Sequence, residues 1–497
     1  MADGTNSGNK VRKGFFLYLI IFFVIVIAFF GVCITIMLFN PGKSVLGIKY
    51  FSNNETHEVT KAAGDVDLNL GSTEYSEVKI NASCANVTIE ANSDNIKDCI
   101  IIKNKLKGFA KASEGDNFNY SVKVIGNVLN IDVTAKRGFI NFSTEADIIV
   151  HIAQRENDVT FFKNTVFDIT TTTGNVVVGG YKKVGYSNNM AFGGFNITTE
   201  SGNVTFTEHA DNVLVMNSLL DVRQPYEYKN DITINTKSGY VDLTHSNTNP
   251  NFKVDNPSKL TVNVGSGKLK LGSFNGNMDL FAKKGPIEIT SLTGALNASL
   301  TSSILNVKEI QGDLDFSNGN EVMDENKIYV DKVTGIVNIP DGRKSEIRIL
   351  EVGSMVNIQT TGGNVMIGSE EHPLQSSTYV ETTDGKIEAY FNNGTYSRQL
   401  KTNKGNIYVK FLGDLTNGDS NRFTTNSGKI AVSFPQNSRI EFNFARFDGG
   451  EFNLSKVSFK VLNGLNISSN PFVYNDSSST IAKMYLTTNK EISLNLN

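Results

Sequence analysis

The chain has 497 residues, a formal net charge of -3, 20% charged and 39% hydrophobic residues. It is too apolar for general disorder, and with no basic block beyond Lys10, Arg12 and Lys13 it offers nothing for nucleic acid. Gly is abundant at 43 residues, Pro scarce at 9 and Trp absent, while Val, Ile, Thr, Phe and Tyr are plentiful, which favours pleated sheet.

Residues 1–13 are polar and end on those three cations. Residues 14–39 then run 26 positions without a charge. At about 1.5 Å per residue such a helix crosses a hydrocarbon core of about 30 Å. A cleaved signal peptide is the rival, but its apolar stretch is normally about 7–15 residues and ends at a small-residue site. Here the run ends Met37-Leu38-Phe39-Asn40-Pro41. The segment therefore reads as a single-pass transmembrane helix, a partner of the lipid membrane. The preceding cations put residues 1–13 in the cytoplasm as a short tail and the rest outside the cell membrane. Residues 40–60 read as a linker and residues 61–160 as an N-terminal β segment and cap.

Residues 161–433 repeat. ITTTTGNVVV, ITTESGNVTF, INTKSGYVDL, VNVGSGKLKL, IQTTGGNVMI, VETTDGKIEA, LKTNKGNIYV and FTTNSGKIAV share one pattern. An apolar residue precedes Gly by five places, and apolar residues follow two and four places after it. The glycines are Gly174, Gly202, Gly239, Gly267, Gly285, Gly312, Gly335, Gly363, Gly385, Gly405 and Gly428, with a mean spacing of about 25 residues. Alternation after each Gly, as in Val176/Val178 or Val365/Ile367, is a strand signal. The polar segment before it is a turn in which Gly tolerates positive φ. Each unit is thus strand, corner, strand, and stacked units bury a common core. The expected fold is all-β, a right- or left-handed β-solenoid on a membrane helix. An antiparallel sandwich of hairpins is the rival. The reading places every glycine at the same corner. The stretches 207–230 and 244–258 read as outer loops, and 434–497 as a C-terminal β segment and cap. Fainter matches appear at Gly64 and at Thr487-Thr488-Asn489-Lys490.

The TxxGxV units, with the alternating segment from Ala146 to Ile152, resemble the bacterial "putative adhesin" domains, over roughly residues 60–435. That resemblance implies a β-solenoid related in pattern to the heads of auto-transporter adhesins, and it supplies no catalytic residues. Ala153 departs from the Pro that many members carry there.

Little else carries chemistry. Cys84 and Cys99 could form a disulfide in an oxidising compartment or be unrelated thiols, and Cys33 lies in the apolar run. Neither they nor His57, His151, His209, His245 and His372 stand at metal-ligand spacing, so no metal or cofactor is expected. Gly265-Ser266-Gly267-Lys268 mimics the end of a phosphate loop but lacks the upstream Gly and a following helix pattern. Asp313 and Asp315 would share one strand face, the one pair suited to a polysaccharide-active β-helix enzyme. Sequons such as Asn196 and Asn203 would be glycan sites in a eukaryotic secretory route. The expectation is a non-catalytic surface adhesion or binding protein for a surface glycan, wall polymer or partner protein. The alternative is an envelope-sensing or scaffolding ectodomain.

Overall fold

The computed structural model describes residues 7–40, 43–62, 75–92, 99–111, 118–135, 140–153, 162–179, 192–207, 231–244, 258–319, 325–415, 420–459, 467, 469–475 and 481–497. The apolar run lies within the helix Ser7–Phe39. Its stretch Gly14–Phe39 is long and apolar enough to cross a membrane, and nearly all of its side chains are exposed.

The repeats lay strands into two parallel sheets. In sheet one, Ile169, Ile197, Ile234, Val262 and Leu280 stand in register on successive strands. In sheet two, Val176, Val204, Val241, Leu269 and Ile287 do the same. These columns face inward and are fully buried, whereas the residues between them face outward. Rings from the two sheets meet across the core, as in Phe195–Phe206 at 5.7 Å and Phe411–Phe423 at 6.5 Å. Val365 and Ile367 point inward and Thr361 lies exposed, in the expected phase. Because interior pairings are parallel, the hairpin sandwich is excluded: the chain must cross to the other sheet between neighbouring strands.

The corners explain the Thr-x-x-Gly pattern. Gly174, Gly202, Gly239, Gly385, Gly405 and Gly428 each donate a backbone N–H to the Oγ1 of the Thr three places earlier, at 2.7–3.1 Å. Those threonines are buried. Two of them also donate to the neighbouring coil: Thr402 to the Gly385 carbonyl at 3.0 Å and Thr425 to the Gly405 carbonyl at 2.9 Å. Close stacking, more than backbone dihedral, demands glycine. A Cβ on Gly385 would lie 1.7 Å from the Gly363 oxygen, and one on Gly405 1.8 Å from the Gly385 oxygen. Of the eleven sequence-picked glycines only Gly285 and Gly363 have positive φ.

Two glycines do not keep the expected phase. Gly312 and Gly335 lie at the opposite corner, where the chain returns from sheet two to sheet one. There they stack on Gly294 and Gly276. In those coils Ser303, Asn326 and Ser345 occupy the first corner, and Asn326 Oδ1 accepts the Ser303 N–H at 2.8 Å. The motif looks the same at both corners because each is strand, tight turn, strand.

Both ends of the stack are assembled out of chain order. The strand Glu77–Ala82 is inserted between Val128–Ala135 and Phe162–Thr171. Its companion Ala85–Asn92 is inserted between Ile140–Ala153 and Val176–Gly179. At the far end, Ala482–Thr487 lies between Ser420–Thr425 and Ile440–Ala445, and Ile492–Leu496 between Ile430–Phe434 and Val457–Phe459. The Thr487–Lys490 corner is therefore a true repeat, in which the Thr488 hydroxyl donates to the Gly428 carbonyl at 2.7 Å. Antiparallel pieces cover the first end. Phe118–Ile125 lies on Val128–Ala135, and Ile48–Ala62 pairs with Cys99–Lys111, which pairs with Ile140–Ala153. Much of the expected linker is thus a strand, because pairing with Cys99–Lys111 satisfies its backbone.

That register also separates the cysteines. Cys99 is opposite His151 and His151 opposite Glu90, six residues beyond Cys84. Cys84 and Cys99 are then about 20 Å apart along the strand direction, against about 7 Å for a disulfide, so the suggested cross-link does not form. Gly64 lies outside the described residues, as do nearly all of the two expected outer loops.

Candidate binding groove

Along sheet one the outward column next to the buried threonines runs Thr170, Thr198, Asn235, Asn263, Phe281, Ser299. Each stands one strand from the next, about 4.8 Å away. Asn263 donates its amide to Asn235 Oδ1 at 2.5 Å, and Asn235 donates to Thr198 Oγ1 at 3.4 Å. This amide ladder ends at Phe281, whose ring is 49% exposed between two small polar neighbours. The corner residues Glu200, Lys237 and Lys283 rise along one side, and Lys237 Nζ lies 2.5 Å from Glu200 Oε1. Gly265 keeps that wall low, since a Cβ there would meet the Lys237 carbonyl at 2.2 Å. The result is a trough of about 790 Å³ that extends from Thr170 to Gly319 parallel to the stack. At about 4.8 Å per strand it is roughly 29 Å long. Hydroxyl and amide groups at a regular step, with one aromatic face, suit hydrogen bonding and stacking to an extended molecule.

The acidic pair picked out in the sequence serves the stack. Asp313 Oδ1 accepts the Ile336 N–H at 2.7 Å, and Asp315 Oδ1 accepts the Asn338 amide at 2.8 Å. Asn357 extends that ladder to Asn338 Oδ1 at 2.9 Å. His151 is buried, and His372 lies 3.8 Å from Glu351 on sheet two. The side chains of His57, His209 and His245 lie outside the described residues. Among the described residues no three His, Cys, Asp or Glu side chains gather to hold a metal. Gly265–Lys268 turns from strand to strand and opens no helix. Elsewhere on the outer faces, Lys401 and the Tyr379 hydroxyl together hold Glu381 below the usual carboxylate range. The same bond to Glu381, with burial, pushes Tyr379 up to about 12, and Glu388 does the same to Tyr390.

None of the groove column was picked out from sequence. A signal existed at Phe281, an aromatic at an outward position of an otherwise polar column, but it is legible only once inward and outward residues are known.

A solved structure described as a "putative cell adhesion protein" from Clostridium sporogenes is 7% identical to the chain. It covers 89% of this chain and 99% of its own, with a TM-score of 0.14. Another, described as a "putative adhesin" from Parabacteroides distasonis, is 11% identical over 78% of this chain and 99% of its own, with a TM-score of 0.17. No curated protein matches. The family profile described as Toastrack DUF4097 matches residues 75–461, which contain the two-sheet stack except its strands Ala482–Thr487 and Ile492–Leu496, and nearly all of the stretch that carries the sequence resemblance. The chain belongs to the Toastrack DUF4097 family.

Proposed function

We propose that this is a surface-binding protein, held to a membrane by Gly14–Phe39, whose sheet-one groove takes an extended surface glycan, wall polymer or partner segment. The observation that carries the reading is the regular column from Thr170 to Ser299, which offers one polar or aromatic contact per strand. Shallow contacts of this kind gain strength when many copies act together on one membrane. Lys10, Arg12 and Lys13 before the apolar run favour a cytoplasmic N-terminus with the stack outside. The reading has no catalytic step, and within it Asp313 and Asp315 bond to the neighbouring coil.

The test uses the full chain in lipid nanodiscs, at one copy and at several copies per disc, with purified envelope polysaccharide. Binding should rise steeply with copy number, fall about tenfold in Phe281→Ala, and leave the polymer length unchanged. Equal binding by Phe281→Ala and the parent would remove the groove from the account. Shortening of the polymer that Asp315→Asn abolishes would replace binding by hydrolysis. On intact cells, added protease should remove a C-terminal tag and spare an N-terminal one.

A further inference from the structure

Sheet two carries a second recess, at the end of the stack opposite Ile48–Ala62. Its outward register there reads Glu388, Tyr408, Ala431, Ser493, Ser458 in one column. The parallel column reads Tyr390, Lys410, Ser433, Asn495. Four small residues, Ala431, Ser433, Ser493 and Ser458, sit where neighbouring coils carry Tyr or Lys, so the surface drops into a hollow of about 500 Å³.

The wall of the hollow is Tyr408. The Lys386 ammonium lies 4.6 Å from the centroid of its ring. Lys386 does not line the hollow, whereas Ala431, on the other side of Tyr408, does. One ring face is thus held by the cation and the other opens over the floor. The floor is polar, and its own bonds are slack. Ser493 Oγ reaches Asn495 Oδ1 at 3.4 Å, Asn495 Nδ2 reaches Ser433 Oγ at 3.5 Å, and Ser458 Oγ reaches the Ile492 carbonyl at 3.5 Å. Bonds at that limit are weak, so these donors and acceptors gain by turning to a better partner. Charges around the hollow balance: Glu388 and Glu491 against Lys410 and Lys429, with Lys429 2.7 Å from Glu491.

An open aromatic face beside a floor of hydroxyl and amide groups, without net charge, matches a pyranose. The C–H face of such a ring stacks on an aromatic while its edge hydroxyls donate and accept. We propose that this hollow is a saccharide-unit site for a neutral, equatorially substituted pyranose, separate from the sheet-one groove. Tyr408 is its stacking platform, and Ser433, Ser493 and Asn495 meet the ring hydroxyls.

Saturation-transfer NMR on the full chain in nanodiscs, with cellotriose and chitotriose as probes and mannitol as an open-chain control, tests it. Saturation should pass to the ring C–H protons of at least one trisaccharide and not to mannitol. Affinity should fall about tenfold or more in Tyr408→Ala and in Ala431→Leu, which fills the hollow, and survive in Tyr408→Phe. Ala431→Leu should keep its thermal transition, so that loss of binding is not loss of fold. Phe281→Ala lies on the other sheet and should leave this signal intact, so failure here and failure of the groove are read separately. No transfer to either sugar, or undiminished transfer in Ala431→Leu, overturns the site.

Discussion

Deleting residues 481–497 should do far more than trim a tail. Both strands of that segment lie inside the stack, between the coil of 420–434 and the strands Ile440–Ala445 and Val457–Phe459. Met484, Leu486, Ile492 and Leu494 are fully buried. At roughly 1.5–3 kcal/mol per buried side chain their loss removes roughly 6–12 kcal/mol, before any ladder hydrogen bond is considered. That is comparable with the whole stability of an ordinary domain, about 5–15 kcal/mol. In a stack where each coil touches only its neighbours, the damage should stay local. The outer strands lose the surface they rest on, while coils between 258 and 411 keep theirs. Limited proteolysis and amide hydrogen exchange of the full and shortened chains are the assay. Cleavage should enter 435–459 and exchange should become fast at 440–445 in the shortened chain alone. Unchanged protection at 440–445 after the deletion would mean that the strand order derived for this end is wrong.

Other consequences follow from the corners and outer faces. Thr402→Val keeps the shape but strands the Gly405 N–H and the Gly385 carbonyl. It should cost about 1–3 kcal/mol in chemical denaturation, whereas Thr402→Ser should cost less. Gly405→Ala puts a Cβ 1.8 Å from the Gly385 carbonyl and should cost about 3 kcal/mol or more, seen as a lowered midpoint of unfolding. Tyr379 and Tyr390 are pushed up to about 12, so their contribution is complete below about 10, the unfolded value, and is lost as pH rises towards 12. Thermal midpoints should therefore fall between pH 10 and 12, and less steeply in the Tyr379→Phe/Tyr390→Phe double variant. For Glu381 the sign is opposite: its contribution holds above the ordinary carboxylate range and fades as pH drops below about 4, which Glu381→Gln should abolish.

The inward columns were legible because burial imposes a strict period of two: Ile169, Val176 and their counterparts could be named from alternation alone. Which corner a glycine serves was not legible, because Gly312 and Gly335 sit in the same local pattern as Gly363. Phase along the stack depends on how many residues each coil spends, and coils differ. The burial of the motif threonines was hidden for a related reason. A Thr in a polar segment reads as solvated until the neighbouring carbonyl that receives its hydroxyl is known. The strand Ile48–Ala62 escaped notice because its residues, NNETHEVT among them, carry no clean alternation, and pairing rather than periodicity makes it a strand. Strand order at the ends is likewise invisible, since no local feature of Ala482–Thr487 says which two strands will receive it. Outward residues such as Asn263, Phe281 and Tyr408 are the least constrained by folding, and so folding rules cannot select them.

The closure of both ends by strands taken out of chain order has a bearing on reach. Between the closures, coils follow one another in sequence, and each meets its neighbours through the same two columns. Removing Lys386–Gly405 would bring Gly385 to Asn406 with both columns in step, one rung shorter. Duplicating it would lengthen the stack by the same amount. Neither edit touches the strands that seal the ends. How far this protein extends is therefore a quantity that mutation can change twenty or so residues at a time, in the interior, while its terminations stay fixed.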